Sequence, residues 1–464
     1  MPADCTESQP DASPGAGLEQ ASFKEIVDDL FQELFPICRS ITGNGIRESF
    51  KILRKYLPLE LHEIPSGEQI FDWVVPEEWN INDAYIMDLN GNRLVDFQEN
   101  NLHVISYSIP VKERISFDKL KPKLHSLPDQ PDAIPYLTSY YARDWGFCLS
   151  EKQLDKFDPS AEYEIYIDSE LKHGSLTIGE CKLPGTTKGE ILLSSYLCHP
   201  SMANNELSGP ILIALLYRYL SKKTKRRFTY RFYIGPETIG ALVYLKMRGK
   251  LLKERVLAGL VVTCCGDRGR FTFKRAKDEH AWINQIAAHV VNWSQIDCNI
   301  LDFFPTGSDE RQYSSPGFDL PVASLMRSMY SQFPEYHTSL DDLNFVDTTE
   351  LLETMRVYVN LLESLEADDK YINCKPHGEP QLAKYGLYPT IGGQKTKKKF
   401  ARNLRFLLCY SDGKTGLLEI AERAGVPIWD FAEPVALALE NGLIEMVEGE
   451  SNTSPMHVLK IKST

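Results

Sequence analysis

The chain has 464 residues, of which 43% are hydrophobic and 25% are charged, a balance typical of a soluble globular protein. Its 51 basic and 64 acidic residues give a formal net charge of −13, which argues against nucleic acid or an anionic membrane as the main partner. A single ordinary core does not accommodate a chain of this length, so we expect two or three domains.

The N-terminal residues 1–20 are rich in Pro, Ala, Ser, Asp and Gly, which predicts a disordered tail rather than a secretory signal. No apolar run in the sequence approaches the length of a membrane span. The 10 cysteines form no CxxC pair, which favours buried free thiols in a reducing compartment. We therefore expect a cytoplasmic protein without a membrane partner.

Two helices and then a run of short strands are expected after the tail. Ser22 and Glu25 form a capping-box pattern for a helix that ends before Pro36, and a second helix is expected over about 46–57. Between residues 58 and 122 the hydrophobic period changes to two and turn residues become dense. This segment is predicted to be a small all-β domain inserted into a larger one.

Strands and helices alternate over residues 21–57 and 123–370, which are predicted to form one α/β domain. The strand candidates are short, apolar and bounded by turn residues, and they comprise residues 163–167, 190–197, 228–234, 257–263 and 321–325. This alternation predicts a mostly parallel sheet that is covered by helices on both faces.

Residues 371–464 are predicted to form a separate small domain, in which a helix-turn-helix is followed by a wing-like hairpin. Such a fold can read DNA, but the second helix carries Asp430, Glu433 and Glu440 with no basic residue, and Pro434 interrupts it. We therefore expect no nucleic-acid partner and assign this domain to packing, oligomerisation or shaping of a cleft.

Polar residues gather where the predicted α/β strands end. One such stretch follows the strand candidate 190–197 and reads Cys198-His199-Pro200-Ser201-Met202-Ala203-Asn204-Asn205-Glu206-Leu207-Ser208-Gly209-Pro210. Four further polar stretches lie after or beside strands and begin at Gly235, Cys264, Thr306 and Pro334. In open α/β sheets, ligands bind at the carboxyl ends of the strands, so these stretches predict a functional site.

The residue types at this edge predict a metal site. His199 and His337 are the natural pair of imidazole ligands for zinc, and Glu206 and Asp309 could add oxygen ligands. Taken singly, each histidine is more often a structural hydrogen-bonding residue, and Asp309 could belong to a surface ion-pair cluster. The joint occurrence of these residues at successive strand ends favours the metal site.

Further residues at the same edge suit catalysis. Glu237 follows an apolar strand, and an enclosed carboxylate there has the raised proton affinity of a general base, although it could also complement the dipole of the next helix. Arg311 or Tyr313 could stabilise an oxyanion or hold a charged group of a substrate. Asp341 or Asp342 could orient the second histidine from behind the metal.

The order of these motifs resembles the clan of zinc aminopeptidases and carboxypeptidases with a phosphorylase-like α/β/α fold. The motifs are His199, Asn205-Glu206-Leu207-Ser208-Gly209, Glu237-Thr238-Ile239-Gly240, Gly307-Ser308-Asp309 and His337-Thr338-Ser339-Leu340-Asp341. A closer resemblance, to a bacterial aminopeptidase-like family, is carried by Cys198-His199-Pro200-Ser201, Pro236-Glu237-Thr238-Ile239-Gly240, Gly307-Ser308-Asp309-Glu310-Arg311-Gln312-Tyr313 and Tyr336-His337-Thr338-Ser339. Members of that family have an inserted β domain and a C-terminal winged helix and are often linked to polysaccharide biosynthesis. The resemblance runs from about Phe23 to the C-terminus and implies a three-layer α/β/α fold, zinc and amide-bond chemistry.

The sequence departs from the two-zinc pattern of that clan at four positions. Asn205 stands where those enzymes have an Asp that bridges both metals, and Thr238 stands where they have the second of two acidic residues. Ser201 replaces an Asp that orients the first histidine, and Asp267 only approximates the acidic ligand after the next strand. With carboxylates missing, we expect one zinc ion rather than two, because uncompensated positive charge is costly in an enclosed site, and Glu206 is expected to move in as a ligand.

Three hypotheses on function follow. The first is a zinc-dependent, aminopeptidase-like hydrolase of an amide or peptide bond in a small molecule or short peptide, with Glu237 as the base that deprotonates a metal-activated water. The second is an aminoacyl transferase, cyclase or deacylase that acts on an amino sugar or a secondary metabolite. The third is a binding or scaffold protein built on a degenerate peptidase. The oligomeric state is open, with a homo-oligomer among the alternatives.

Overall fold

A computed structural model describes residues 14–387 and 395–447 of the chain. Its α-helices are α1 (Pro14–Leu34), α2 (Asn44–Leu53), α3 (Phe117–Leu120), α4 (Glu151–Leu154), α5 (Ser208–Ser221), α6 (Ile239–Arg255), α7 (Trp282–Ser294), α8 (Glu310–Tyr313), α9 (Thr348–Ala367), α10 (Lys395–Tyr410), α11 (Leu417–Ala424) and α12 (Ala432–Glu440). Of the tail predicted over 1–20, residues 1–13 lie outside the described part, and Pro14 already opens α1, a position that suits proline because the first helical N–H has no intrahelical partner. None of the described helices is long and apolar enough to cross a lipid bilayer.

The strands are short, and most of them belong to two sheets. In chain order they are β1 (Glu60–Pro65), β2 (Gln69–Ile70), β3 (Trp73–Val74), β4 (Glu78–Met87), β5 (Arg93–Asp96), β6 (Val111–Ser116), β7 (Leu124–His125), β8 (Phe147–Cys148), β9 (Glu162–Lys172), β10 (Ser175–Leu183), β11 (Glu190–Tyr196), β12 (Thr229–Gly235), β13 (Val256–Val262), β14 (Phe271–Lys274), β15 (Cys298–Leu301), β16 (Val322–Met326), β17 (Lys370–Asn373), β18 (Asp412–Gly416) and β19 (Ile444–Met446). The predicted strand runs 190–197, 228–234, 257–263 and 321–325 correspond to β11, β12, β13 and β16.

The large sheet has eight strands in the order β1-β10-β12-β11-β13-β16-β14-β15. The central strands β12, β11, β13 and β16 are parallel to one another. On one side β10 runs antiparallel to β12 and β1, and on the other β14 runs antiparallel to β16 and parallel to β15. Every residue of β11 is buried, as expected for a strand that is covered on both faces. Ile191 and Leu193 pack in one core with residues of α1, α5 and α9, and Leu192 packs in a second core with residues of α6. The predicted three-layer α/β/α arrangement is thereby confirmed.

A second sheet has the order β5-β4-β9-β6 and is antiparallel throughout. The strand predicted over 163–167 was assigned to the large α/β sheet, and that assignment is wrong: it lies in β9, at the centre of the small sheet. Conversely, β1 lies within the predicted insertion 58–122 but pairs with β10 of the large sheet. Alternating burial along β9 is the physical reason, because a strand with one solvated face suits an antiparallel sheet better than a doubly covered one.

The C-terminal helices α10, α11 and α12 surround a small sheet with the order β18-β17-β19. Buried polar contacts join them to the α/β domain. The ring of His289 on α7 contacts Glu422, and its Nε2 accepts a hydrogen bond from the backbone N–H of Ile428 at 2.9 Å. The carboxylate of Asp368 accepts a hydrogen bond from the backbone N–H of Leu418 at 2.9 Å. Because His289 and Asp368 are buried, separating the two parts would leave their polar atoms without these partners.

Candidate active site

Five loops meet at the carboxyl edge of the parallel strands. Residues 197–207 follow β11, residues 236–238 follow β12, residues 263–270 follow β13 and residues 327–347 follow β16. The fifth loop, residues 302–309, joins β15 to α8; β15 runs opposite to the parallel strands, and the loop reaches their carboxyl edge at Asp309, which accepts a hydrogen bond from the backbone N–H of Thr238. All the predicted polar stretches therefore lie at the edge where open α/β sheets bind their ligands.

The carboxylate of Glu206 holds the ring of His199. Nδ1 of His199 lies 2.6 Å from Oε2 of Glu206, whose Oε1 accepts a hydrogen bond from the backbone N–H of Cys198. The pKa of His199 is raised well above its ordinary value, because burial, which disfavours the charged ring, is outweighed by the neighbouring Cys198 and Glu206. Burial raises the pKa of the Cys198 thiol to about 11, so the thiol is protonated near neutral pH. Glu206 thus orients the His199 ring through Nδ1, and the other ring nitrogen, Nε2, remains available to bind a ligand.

His337 and Glu237 lie beside this imidazole. The ring centroids of His199 and His337 are 5.1 Å apart, and Nε2 of His199 lies 3.9 Å from Oε2 of Glu237. Nε2 of His337 is buried and has no hydrogen-bond partner within residues 14–387 and 395–447. Burial, with a smaller contribution from the charge of His199, lowers the pKa of His337 to about 3, so that its ring is neutral. A neutral imidazole with a free nitrogen is the form that binds a metal ion.

Glu237, Asp309 and Arg311 form a compact group of charges. Burial raises the pKa of Glu237, against the lowering effects of His199 and Arg311. The pKa of Asp309 is raised well above its usual value by burial and by the charge of Glu237. The backbone N–H of Thr238 donates to Oδ1 of Asp309 at 2.7 Å, and Nη2 of Arg311 donates to the Thr238 hydroxyl at 3.0 Å. The predicted surface ion-pair alternative does not apply to Asp309, which is 1% exposed.

Backbone strain is concentrated in the loops of this edge. Five non-glycine residues of these loops have a left-handed φ: Ser201 at 39°, Thr238 at 63°, Cys264 at 49°, Ser331 at 61° and His337 at 55°. Each such conformation costs on the order of 1–3 kcal/mol, and it persists only where the surroundings enforce it. The observation supports a functional role for these loops.

Three of the predicted site residues lie apart from the histidines. The hydroxyl of Tyr313 is fully buried in the core and pairs with Ser194 at 2.8 Å. The hydroxyl of Ser201 donates to the backbone carbonyl of Phe35 at 3.2 Å, so it does not orient His199. The Asp267 carboxylate accepts hydrogen bonds from several groups beyond the site, which are Asn204 Nδ2, the Ser328 hydroxyl and the backbone N–H groups of Gly269 and Ser328.

Asp341 secures the loop that carries Asn205 and Glu206. Its carboxylate accepts hydrogen bonds from the backbone N–H groups of Asn204 at 2.6 Å and Asn205 at 2.9 Å. These residues belong to a π-helical turn, Ala203–Leu207, that leads into α5. Burial raises the pKa of Asp341 to about 7, against the opposing effect of these backbone donors. Asp341 therefore supports the first-histidine loop rather than contacting His337.

Three residues beside the histidines had no role assigned to them from the sequence. Tyr136 has its ring centroid 5.1 Å from that of His199 and 5.3 Å from that of His337, and its backbone N–H donates to the carbonyl of His337 at 2.8 Å. Tyr336 stacks on His337 with centroids 3.9 Å apart. Arg39 is fully buried, and its Nε donates to the carbonyl of His199 at 3.0 Å. Tyr136 and Arg39 come from segments far from the motifs, so only the fold reveals their positions.

Two donor sets at this edge suit a metal ion. Within the described part of the chain, Cys198, His199 and Glu206 place donor atoms within 4.8 Å of one another. That set is the weaker candidate, because Glu206 already pairs with Nδ1 of His199 and the thiol is protonated. The outward Nε2 of His199 and the unpaired Nε2 of His337 are better suited, since imidazole nitrogens are common zinc ligands. The residues therefore fit a zinc ion.

A glycine shapes the loop that carries Asp309. Gly307 has a φ of 105°, and a Cβ at this position would overlap the side chain of Tyr330. The hydroxyl of Tyr330 donates to Glu310 at 2.9 Å, and Lys274 pairs with the same carboxylate at 2.5 Å, with both charged side chains fully buried. A buried ion pair between Lys274 and Glu310 thus supports this loop.

Replacing Gly307 with Ala is expected to lower the free energy of unfolding by at least about 1–3 kcal/mol, because the side chain meets both a left-handed φ and the Tyr330 ring. Chemical denaturation measures this change. Gly317→Ala is the matched control, since a Cβ there has no neighbour within 4 Å and no positive φ. Equal stability of the two variants would contradict the assigned role of Gly307.

Two family comparisons divide the chain near residue 368. Residues 28–368 match a family described as a domain of unknown function, DUF4910, and residues 369–446 match a winged helix-turn-helix family. The C-terminal winged helix expected from the sequence is thereby confirmed.

The chain is also similar to named proteins and to solved structures. A protein of Clostridium acetobutylicum, named as a candidate polysaccharide biosynthesis protein with an aminopeptidase-like domain, is 47% identical over 398 residues, which cover 86% of this chain and 91% of that protein. The crystal structure of a candidate peptidase from Clostridium acetobutylicum has a TM-score of 0.87 at 43% identity and covers 93% of this chain and 98% of that one. A zinc aminopeptidase from Bacillus subtilis has a TM-score of 0.54 at 11% identity over 75% of this chain and 94% of that one, which shows a shared fold.

Proposed function

Because the chain belongs to the family described as a domain of unknown function, DUF4910, and resembles aminopeptidase-like proteins, we propose that it hydrolyses an amide or peptide bond with one bound zinc ion. The observation that carries the proposal is the placement of His199 and His337 side by side, with Nε2 of His199 3.9 Å from the carboxylate of Glu237 and an unpaired Nε2 on His337. No structural role explains an unpaired buried nitrogen on His337, since buried polar atoms are normally hydrogen-bonded.

The histidines would hold the ion, and the surrounding residues would take up a proton and stabilise charge during the reaction. A bound zinc ion polarises a carbonyl and lowers the pKa of water. Glu237 has the proton affinity of a general base, because burial raises its pKa. Arg311, whose charge acts on both Glu237 and Asp309, can stabilise negative charge that develops on the substrate carbonyl. The aromatic ring of Tyr136 closes the side of the site next to both imidazoles and limits access of bulk water.

A panel of aminoacyl amides, short peptides and acylated amino sugars, assayed with zinc-loaded protein, tests the proposal. We expect zinc-dependent release of a free amine from at least one class of substrate. If the protein carries one zinc ion and yet releases no amine from any of them, the hydrolase proposal fails.

One observation favours a second candidate function. The name of the Clostridium acetobutylicum relative refers to polysaccharide biosynthesis, which suits a deacylase or transferase acting on an amino sugar. Product analysis separates the alternatives, because a hydrolase releases an acid and an amine in equal amounts, whereas a transferase passes the acyl group to a second amine. The scaffold hypothesis predicts neither product.

The winged-helix domain is proposed to act in packing rather than in DNA binding. On the second helix of the motif, Glu433 and Glu440 present acidic groups, and Asp430 just before it pairs with Lys399 at 2.7 Å. Acidic groups at the position of a recognition helix repel phosphates.

We expect no retardation of a random-sequence duplex by the full chain at about 50 mM salt, where electrostatic binding is strong. An electrophoretic mobility-shift assay measures this retardation. A charge-reversed variant, Glu433→Lys with Glu440→Lys, tests whether the helix is accessible to the duplex. Tight, salt-dependent binding by the unmodified chain would contradict this proposal.

A further inference from the structure

An exposed aromatic surface joins the β2–β3 hairpin to the segment around Tyr141. It is formed by Phe71, Trp73 and Tyr141, which we call the aromatic platform and whose exposed fractions are 49%, 40% and 57%. The ring centroids of Trp73 and Tyr141 are 5.9 Å apart, and the hydroxyl of Tyr141 donates to the backbone carbonyl of Val74 at 3.1 Å. The two segments therefore present one surface.

The hairpin holds its rings in fixed positions. Ile70 is buried in the core, and Nζ of Lys246 on α6 donates to the backbone carbonyl of Gln69 at 2.6 Å. Phe71, at the tip, has a φ of 54° and packs edge to face on Phe318 with ring centroids 5.7 Å apart. A left-handed φ is unfavourable for a bulky residue, and such positions are concentrated at turns and ligand sites. Because half of the Phe71 side chain remains in water, packing within the chain does not account for its position.

The platform adjoins the candidate active site through residues 136–141. The ring of Tyr136 lies beside both imidazoles of the site, and its hydroxyl is 2.8 Å from that of Tyr140. Burial, and to a smaller extent the charge of Glu237, raises the pKa of Tyr140 well above its usual value, so this phenol lies near that carboxylate. Tyr141 of the platform is the next residue, with its Cα about 3.8 Å from that of Tyr140. A ligand on the platform therefore lies at the mouth of the site.

The two phenols provide a hydrogen-bond donor at the inner end of this surface. Tyr136 and Tyr140 carry one hydroxyl proton each, and their mutual contact uses one of the two. Neither hydroxyl has another partner within residues 14–387 and 395–447. Whichever phenol donates to the other, one proton is left for an acceptor outside the described chain.

The size of the platform suits a small ligand rather than a protein. A Phe, Tyr or Trp side chain buries 150–250 Å² when it is fully covered, so three half-exposed rings offer on the order of 300 Å². A stable protein interface buries roughly 800 Å² on each partner. The platform alone is therefore too small to hold a second copy of the chain.

The charges around the platform favour a neutral ligand. Arg143 pairs with Glu77, and Lys246 pairs with Glu68 at 2.9 Å, so these cations are already neutralised. Asp72, which follows Phe71 at the tip of the hairpin, adds a carboxylate that would repel an anion.

A sugar ring matches both parts of this surface. Its C–H faces pack on aromatic rings, and its hydroxyl and N-acyl oxygens accept hydrogen bonds from phenols. An apolar side chain of a peptide would cover the platform but would leave the phenolic proton unpaired.

We propose that the aromatic platform binds a neutral sugar ring of the substrate, with oxygen atoms of the same molecule directed toward Tyr136 and Tyr140. It rests on the proposed function and names the substrate class of that site, which is an acylated amino sugar or a short oligosaccharide that contains one.

The experiment titrates the full chain with the methyl glycosides of glucose, N-acetylglucosamine and N-acetylgalactosamine, and saturation-transfer NMR measures binding. At least one glycoside is expected to bind with a Kd on the order of 1 mM, as its size allows, and to receive most saturation at its ring C–H protons. Trp73→Ala is expected to weaken the Kd at least about 10-fold, because it removes a stacking ring. Trp429→Ala is the matched control, since Trp429 is 38% exposed and lies in the winged-helix part of the chain, and its Kd is expected to be unchanged.

Four outcomes separate the statements. The proposal is overturned if none of the glycosides binds, or if Trp73→Ala binds them as tightly as the unmodified chain. It is also overturned if sedimentation shows a dimer that Trp73→Ala abolishes, because the platform then contacts a second copy. Should Trp73→Ala not fold, Tyr141→Ala replaces it, with the same expected weakening and the same contradicting result. Glycoside binding that Trp73→Ala weakens, without release of an amine from any substrate, supports the sugar site while the proposed hydrolase function fails.

Discussion

Replacing both His199 and His337 with Ala is expected to abolish zinc binding and to reduce turnover to the level of the uncatalysed reaction. The two rings provide the imidazole nitrogens of the site, and their centroids lie only 5.1 Å apart. Structural and catalytic zinc sites need three or four protein ligands, so the loss of two leaves too few. Metal content after dialysis and release of amine from the best substrate measure the effect.

The control for this variant is His280→Ala, because the side chain of His280 is half exposed and lies outside the site. Its zinc content and turnover are expected to match those of the unmodified chain. A double variant that folds, as judged by circular dichroism, and still retains one zinc ion per chain would show that the metal is held elsewhere.

Glu237→Gln is expected to lower kcat by about 10²–10⁴-fold while zinc binding is retained. The amide keeps the size of the carboxylate but has no lone pair basic enough to take a proton. The effect should lie in kcat rather than KM, because proton transfer belongs to the chemical step. Steady-state kinetics and metal analysis on the same preparation separate the loss of a base from the loss of the ion.

The matched control is Glu279→Gln, since that side chain is 80% exposed and lies apart from the site. Unchanged kcat is expected for it. If Glu237→Gln kept full activity toward every substrate of the unmodified protein, Glu237 would not be the base, and Asp309 would be the next carboxylate to test.

The centre of the fold could be predicted because its strands have an unambiguous pattern. The apolar run that became β11 is buried along its whole length, and only a doubly covered parallel strand needs such a run. The strand over 163–167 was assigned to the wrong sheet. It belongs to the small sheet because it pairs with β4 and β6, and the local hydrophobic pattern of a strand does not show which strands it pairs with. Alternating burial along β9 was the available signal.

The candidate site could be predicted in its residue types but not in its atomic contacts. From the order of the motifs we predicted that His199, Glu206 and His337 lie at one edge of the sheet. The sequence could not show that one oxygen of Glu206 contacts His199 and the other accepts a hydrogen bond from a backbone N–H. The position of Tyr313 was also beyond prediction, because an α8 residue can face either the core or the cleft, and here its hydroxyl meets Ser194.

The contact between the Tyr136 segment and the His337 loop also has a kinetic consequence. Ile134 donates its backbone N–H to the hydroxyl of Ser339, 205 residues further along the chain, and Tyr136 pairs with the carbonyl of His337. Contacts between such distant residues form late in folding, because the entropy of closing the loop must be paid first. We therefore expect the second histidine to reach its place only near the end of folding. A nascent or partly folded chain is expected to take up zinc slowly, and the rate of metal capture during refolding would report the final step of assembly.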